Sequence, residues 1–196
     1  MTRRIVYGVG LWITIAATAM TIASIVMPRW LSYSSEGTRQ FSYGLHRRCS
    51  SVTGECDHFP RFEDCTGDKW SFCSMWRTVG FLMSFAVILE LATLTSYAII
   101  ILGGKQRRDR GWKVVCAFLV VSALVELVSM ALVSFLFDHD DRFFNGWYLD
   151  KSWVLCTVSW SMLVTTAAGV VAAAIYLPEE GGYELIPNEG YGIGSP

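Results

Sequence analysis

The sequence predicts an all-α membrane protein: a four-helix transmembrane bundle with a small disulfide-braced extracellular β module between spans one and two. Three observations predict it. The 196-residue chain is 53% hydrophobic and only 17% charged, with a mean hydropathy of +0.39, whereas a soluble domain usually carries about a quarter charged residues. The apolar residues gather into four runs, 5–27, 79–102, 114–137 and 153–177, holding only two charges, Glu90 and Glu126. Each run exceeds the ~18 residues that mark a membrane-spanning helix. Finally, Cys49, Cys56, Cys65 and Cys73 fall together in the one long segment between runs. These features exclude a disordered chain and an ordinary cytosolic enzyme. A net charge of −1 leaves no basic excess for nucleic acid.

The first run follows Arg3 and Arg4, as the apolar core of a signal peptide would. It is long for that role, and Met27-Pro28-Arg29 offers no small-residue cleavage site. The expectation is a retained span with its N-terminus inside. Segment 28–77 follows. Its tryptophans, tyrosines and phenylalanines, among them Trp30, Tyr43, Phe59, Phe72 and Trp76, are too dense for a solvated linker. Phe41, Tyr43 and Leu45 alternate with Gln40, Ser42 and Gly44, the period of a half-buried strand. Thr53-Gly54 then supplies a turn between Cys49 and Cys56. Four cysteines allow three connectivities. The hairpin favours Cys49–Cys56, which leaves Cys65–Cys73. Closing so short a ring stabilises by roughly 2–3 kcal/mol on the loop-entropy model, which matters because a small sheet buries little core. A zinc site using His46 or His58 fits less well, since no C-x-x-C pair is present.

Disulfides persist outside the cell, so the module is expected outside and both termini in the cytoplasm. The loop 103–113, with five basic residues in eleven, agrees with a cytoplasmic position. The module's own seven bases against six acids argue mildly the other way. Spans two and three carry the sharpest intramembrane feature. Glu90 and Glu126 each lie 13 positions from loop 103–113, about 20 Å from the inner surface at 1.5 Å per residue. Antiparallel neighbours would present them at one depth. No span contains Lys, Arg or His to pair with them. Two close carboxylates would share a proton; the expectation is such a hydrogen-bonded pair, or separate bonds to Thr93, Ser122 or Ser129, holding helices together. A proton or cation path is the sharper alternative. On span four, Ala168, Ala172, Gly169 and Ala173 put small residues at i, i+4, allowing close helix approach or an oligomer contact. Cys116, near the inner end of span three, is either a buried thiol or an acylation site. The loop 138–152 is short. The tail 178–196, with four Glu and no base, reads as disordered, and its Tyr183-Glu184-Leu185-Ile186 fits a sorting signal of tyrosine (Tyr183) plus a bulky apolar residue (Ile186).

Four spans, Pro28-x-Trp30 at the end of span one, then Gly44-Leu45-His46-Arg47-Arg48-Cys49, a second cysteine at Cys56, and Arg77 beside span two resemble the claudin superfamily. The superfamily signature is Trp, Gly-Leu-Trp-x-x-Cys and a second Cys, with a basic residue near span two. The resemblance covers about residues 5–177, its specific matches lying mainly in 28–77. His46 stands where the family has tryptophan, the cysteine gap is short for a claudin, Cys65 and Cys73 are extra, and the C-terminus lacks the residue that PDZ domains capture. These departures point to a divergent member. Related branches include peripheral myelin proteins, calcium-channel gamma subunits and fungal plasma-membrane proteins. In pore-forming claudins, charge near the second cysteine sets ion selectivity, so the resemblance makes Asp57 a candidate cation-favouring residue. Arg47 and Arg48 are candidates for binding an acidic partner or a lipid headgroup.

No nucleophile–base set, metal-ligand spacing or phosphate loop is evident. The expectation is therefore a non-enzymatic plasma-membrane protein, comprising a membrane domain (1–177) and a cytoplasmic tail, with no cofactor and no small-molecule substrate. Its partners would be the lipid bilayer and either another copy or another membrane protein. The resemblance implies that it organises membrane contacts or domains. The alternatives are an auxiliary subunit of a channel or transporter, and a paracellular-type pore.

Overall fold

The structure, a computed structural model, describes residues 2–35, 38–66, 70–103, 110–140, 142–143 and 145–177. It contains four long helices, α1 (Thr2–Val26), α2 (Trp70–Leu102), α3 (Trp112–His139) and α4 (Lys151–Tyr176). Each is long and apolar enough to cross a membrane, with mean hydropathy between 1.8 and 2.5 over its most apolar window. The chain is a multi-pass membrane protein. α1 packs on α2 and α4, and α3 packs on the same two, so chain order is also order around the bundle. Large apolar side chains such as Trp12, Phe81, Leu124 and Val158 point outward, a surface suited to lipid tails rather than water.

The inward face of α1 is polar. Thr14, Thr18, Thr21 and Ser24 recur every three or four residues, which places them on one stripe, and all four are buried. The Thr14, Thr18 and Thr21 hydroxyls donate to the carbonyls of Gly10, Thr14 and Ala17, four residues back. Such back-bonding satisfies a hydroxyl within its own helix.

Above one end of the bundle lies a five-stranded antiparallel sheet: β1 (Leu31–Ser35), β2 (Thr38–Tyr43), β3 (Arg47–Ser50), β4 (Cys56–His58) and β5 (Trp147–Leu149). The order is β4-β3-β2-β1-β5. Strands β1 to β4 are the module expected between spans one and two. β5 is not: it comes from the segment between α3 and α4 and pairs Leu149 with Leu31 and Trp147 with Tyr33. A three-residue edge strand is too short to show alternation, and its partner strand lies more than a hundred residues earlier in the chain.

Two further boundaries differ from expectation. α2 begins at Trp70, nine residues before the apolar run, so the stretch counted as the end of the module is instead two helical turns standing above the span. Phe72, Cys73 and Trp76 on those turns are buried against the module rather than in lipid, so hydropathy did not mark the helix start. Leu45 lies beyond β2, buried in the tight link to β3. The same link explains Gly44. A Cβ there would sit 2.5 Å from the Pro28 Cα, a backbone atom that cannot swing aside.

Candidate functional site

Pro28 has no N–H and disfavours helix in the residue before it, so α1 stops at Val26 and its last carbonyls need partners. Trp30, wholly buried, folds back to supply one: its Nε1–H donates to the Ser24 carbonyl at 2.8 Å. The start of α4 supplies others. Ser152 donates through Oγ to the Met27 carbonyl at 3.1 Å and through its backbone N–H to the Arg29 carbonyl at 3.0 Å. Asp150 N–H reaches the Trp30 carbonyl, and Trp30 N–H reaches that of Tyr43. Ser32 Oγ closes the set on Asp150 Oδ2 at 2.7 Å. Trp30, Gly44 and Leu45, the residues that carry the resemblance, therefore meet at one joint where α1, β2 and α4 are pinned together.

A chain of rings secures the other side of the sheet. Tyr43 stacks on Trp147 (5.0 Å between centroids) and packs against Phe59 (4.7 Å). Phe59 meets Trp76 at 5.6 Å, and Trp76 stacks on Phe72 at 5.5 Å. Phe143 joins Trp147 and Phe72, and the Arg142 guanidinium lies 4.3 Å over the Phe72 ring. Aromatic pairs of this kind contribute about 0.5–1.5 kcal/mol each beyond burial. The chain couples strands β2 and β5 to the top of α2. Sequence reasoning missed Phe143 and Trp147, although the aromatic density of the segment before α4 was visible.

Both expected disulfides are present, Cys49–Cys56 and Cys65–Cys73. Cys49 lies directly opposite Cys56 across the β3–β4 pair, and Gly54 in the intervening turn has φ +72°, the left-handed region that favours glycine. The second bridge ties a 3-10 turn, Phe62–Cys65, to the first turn of α2. Cys116 and Cys156 are free and buried, and Cys116 Sγ donates to the Ala167 carbonyl at 3.8 Å. On the module, Asp57 is ion-paired with Arg61 and, at 4.0 Å, with Arg48, which also lies 3.6 Å from Asp64. The candidate selectivity carboxylate is thus held between two guanidiniums. Burial holds the Tyr43 hydroxyl above its ordinary value of 10.0 despite the pull of Arg48. Arg47 and Arg77 are exposed, with Arg77 Nη2 4.0 Å from Cys65 Sγ.

Deep in the bundle, Glu90 and Glu126 come together as their spacing implied, both wholly buried. The partners differ from those expected. Thr93, Ser122 and Ser129 bond to carbonyls of their own helices. Thr21 of α1 and Ser159 of α4 bind the carboxyls instead. Thr21 Oγ1 lies 2.9 Å from Glu90 Oε1, 2.9 Å from Glu126 Oε1 and 2.8 Å from Ser159 Oγ. Ser159 Oγ is also 3.1 Å from the Ala17 carbonyl and 3.3 Å from Glu126 Oε1. All four helices thus meet at one hydroxyl. A hydroxyl carries one proton, so Thr21 can donate to only one of its near neighbours at a time: the Ala17 carbonyl, one of the two carboxyls or Ser159. The signal that would have found Thr21 was the polar stripe on span one, read together with the two acids.

The small residues of α4 face outward: Ala168, Gly169 and Ala172 are exposed, and Ala168 and Ala172 line an apolar groove of about 580 Å³ between α3 and α4. Tyr183 and Ile186 of the candidate sorting signal, the rest of the tail and residues 104–109 lie outside the described residues. A scan against protein-family models gives no match, and a search of curated proteins gives none either.

Proposed function

We propose that this chain is a non-enzymatic, claudin-like protein of the plasma membrane, with its module outside and both termini in the cytoplasm. In this reading it organises membrane contacts or domains through lateral and extracellular interactions. The observation that carries the reading is the way the module is held. Both external segments contribute strands to one sheet, pinned to α1 and α4 at Trp30 and to α2 through the ring chain. A sheet fixed so firmly is a rigid platform rather than a tethered domain. The sheet and the top of α2 together expose Val52 in the β3–β4 turn and Trp70 at the start of α2, at 73% and 67%, with Phe41 and Tyr148 of the strands also exposed. Large apolar groups on a rigid surface are typical anchors for a protein partner.

Cells expressing the full chain, treated with an impermeant amine crosslinker and solubilised in mild detergent, provide the test. The expected result is discrete oligomers, lost in Val52→Ser/Trp70→Ser while surface delivery is kept. A monomer with no crosslinked species overturns the reading. An auxiliary-subunit role is the second reading, favoured by the outward small-residue face of α4, which suits a foreign helix. Oligomers that contain a co-purifying channel and survive the double substitution would select it.

A further inference from the structure

The groove between the module and α2, about 290 Å³ in volume, has a graded lining. Its upper wall carries His46, His58 and Arg77 beside the apolar Phe59, Pro60 and Trp76, and its lower wall Phe81 and Ser84. The exposed His46 ring lies over α2, its Cε1 3.5 Å from where a Gly80 Cβ would stand. The Phe59 N–H to His46 carbonyl bond holds this link against the end of β4, beside His58. No carboxylate lines the groove. The nearby Asp57 is already engaged by Arg48 and Arg61, and among the described residues no acid pairs with Arg77. The groove therefore offers one permanent cation and two imidazoles with no internal anion to occupy them.

Its height is set by α2. From Leu102, Phe81 and Arg77 lie about 32 Å and 38 Å up the helix axis at 1.5 Å per residue. A bilayer is ~30 Å thick in hydrocarbon and 40–45 Å with headgroups. Phe81 then stands at the edge of the hydrocarbon and Arg77 among the headgroups. Phe81 is 69% exposed and stacks on Phe85 one turn deeper, which continues an apolar wall into the acyl region. Polar nitrogens above and an apolar wall below match a phospholipid, whose phosphate suits a guanidinium fork.

We propose that this groove is a binding site for the phosphate headgroup of a lipid in the leaflet on the module side, with the acyl chain lying along Phe81 and Phe85. The test uses the full-length protein in mild detergent, titrated with dioleoylphosphatidylglycerol and read by native mass spectrometry. Dioleoylglycerol, which lacks the phosphate, and inorganic phosphate serve as the comparison ligands. One retained phosphatidylglycerol is expected, with dioleoylglycerol retained at least tenfold less well. Arg77→Gln combined with His46→Gln should weaken retention at least tenfold, while Arg110→Gln, just before α3 at the opposite end of the bundle, changes it less than twofold. Phe81→Ala, at an outward position 69% exposed, should weaken it severalfold and keeps the proposal testable if the first variant misfolds. Equal retention of the two lipids, or of phosphatidylglycerol by all variants, overturns the site. Displacement of the lipid by millimolar inorganic phosphate would assign the groove to free phosphate and overturn the lipid assignment.

Discussion

Replacing Thr21 by valine removes one hydroxyl and almost no volume. The Thr21 hydroxyl touches oxygens on three other helices: Glu90 on α2, Glu126 on α3 and Ser159 on α4. Hydrogen bonds between helices in a membrane average ~0.6 kcal/mol and reach ~1.7, so three of them amount to about 2 kcal/mol. Losing Thr21 also leaves Glu90 Oε1 buried without the partner it has here, and an orphaned buried acceptor costs ~1–3 kcal/mol. The expected loss is about 3–4 kcal/mol. Thr18→Val is the matched control. Thr18 lies one turn away on the same stripe, is buried, and among the described residues bonds to the Thr14 carbonyl of its own helix, so its loss should cost under about 0.5 kcal/mol. Reversible unfolding in mixed detergent and dodecyl sulfate micelles, followed by tryptophan fluorescence, gives both numbers. A second arm replaces a carboxyl by its neutral isostere. Glu126→Gln keeps an acceptor near Thr21 and Ser159 in a group of the same shape, so it should cost no more than about 1 kcal/mol. If Thr21→Val proves no worse than Thr18→Val, the four-helix hydroxyl junction contributes nothing to stability and the reasoning fails.

Three more outcomes follow from the module. Cys49→Ser/Cys56→Ser opens a ring with a sequence separation of 7 and should lower stability by about 2.5 kcal/mol on the loop-entropy model, seen as faster proteolysis within the β3–β4 hairpin; unchanged protease resistance would show that the bridge is no brace. Gly44→Ala forces a Cβ to 2.5 Å from the Pro28 Cα and should cost at least about 1–3 kcal/mol in a thermal melt, whereas Gly8→Ala, with nothing within 4 Å of its added Cβ, should be neutral or slightly stabilising. Tyr43 has its hydroxyl raised above 10.0 by burial, so the neutral form is favoured in the fold and its contribution is complete below that value and lost as pH rises beyond it; melting measured from about pH 9 to about pH 11 should show a steeper loss for the native chain than for Tyr43→Phe.

The sequence disclosed the features that depend on composition and local period. Four apolar runs became four helices because length and hydropathy alone select a span. The β3–β4 hairpin and both disulfides were legible because Cys49, Gly54 and Cys56 lie within eight residues of one another. Glu90 and Glu126 were legible as a pair because one short loop fixes their depth. What stayed hidden depends on contacts between distant segments. β5 is a strand only because β1 is there to pair with it. The first two turns of α2 are helical against the module, where Phe72 and Trp76 find ring partners, and neither shows in a hydropathy window. Thr21 looked like any mid-span threonine until two acids from other helices arrived beside it.

The carboxyl junction and the module are mechanically related through helix length. Counted at about 1.5 Å per residue, α1 rises about 8 Å above Thr21 and α4 about 12 Å above Ser159, whereas α3 rises about 20 Å above Glu126 and α2 about 30 Å above Glu90. The module end of the bundle is therefore a step. β1 leaves the short helix α1 and β5 enters the short helix α4, so the sheet rests on the low side, and the tall helices form a wall lined by Phe72, Trp76 and Leu136. In lipid no hydrophobic force fixes how far one apolar helix slides along another. A slip of one residue, about 1.5 Å, of α4 along α1 would part the Ser152 to Met27 bond, and one of α2 would disturb the edge-on contact of Trp76 with Phe59. The Thr21 hydroxyl, within 2.9 Å of oxygens on the other three helices, is one fixed point for their relative heights. The attitude of the exposed sheet is therefore fixed from within the bilayer. Thr21→Val should loosen protease protection at the module as well as lower stability, although the Thr21 hydroxyl bonds to no module residue among the described residues.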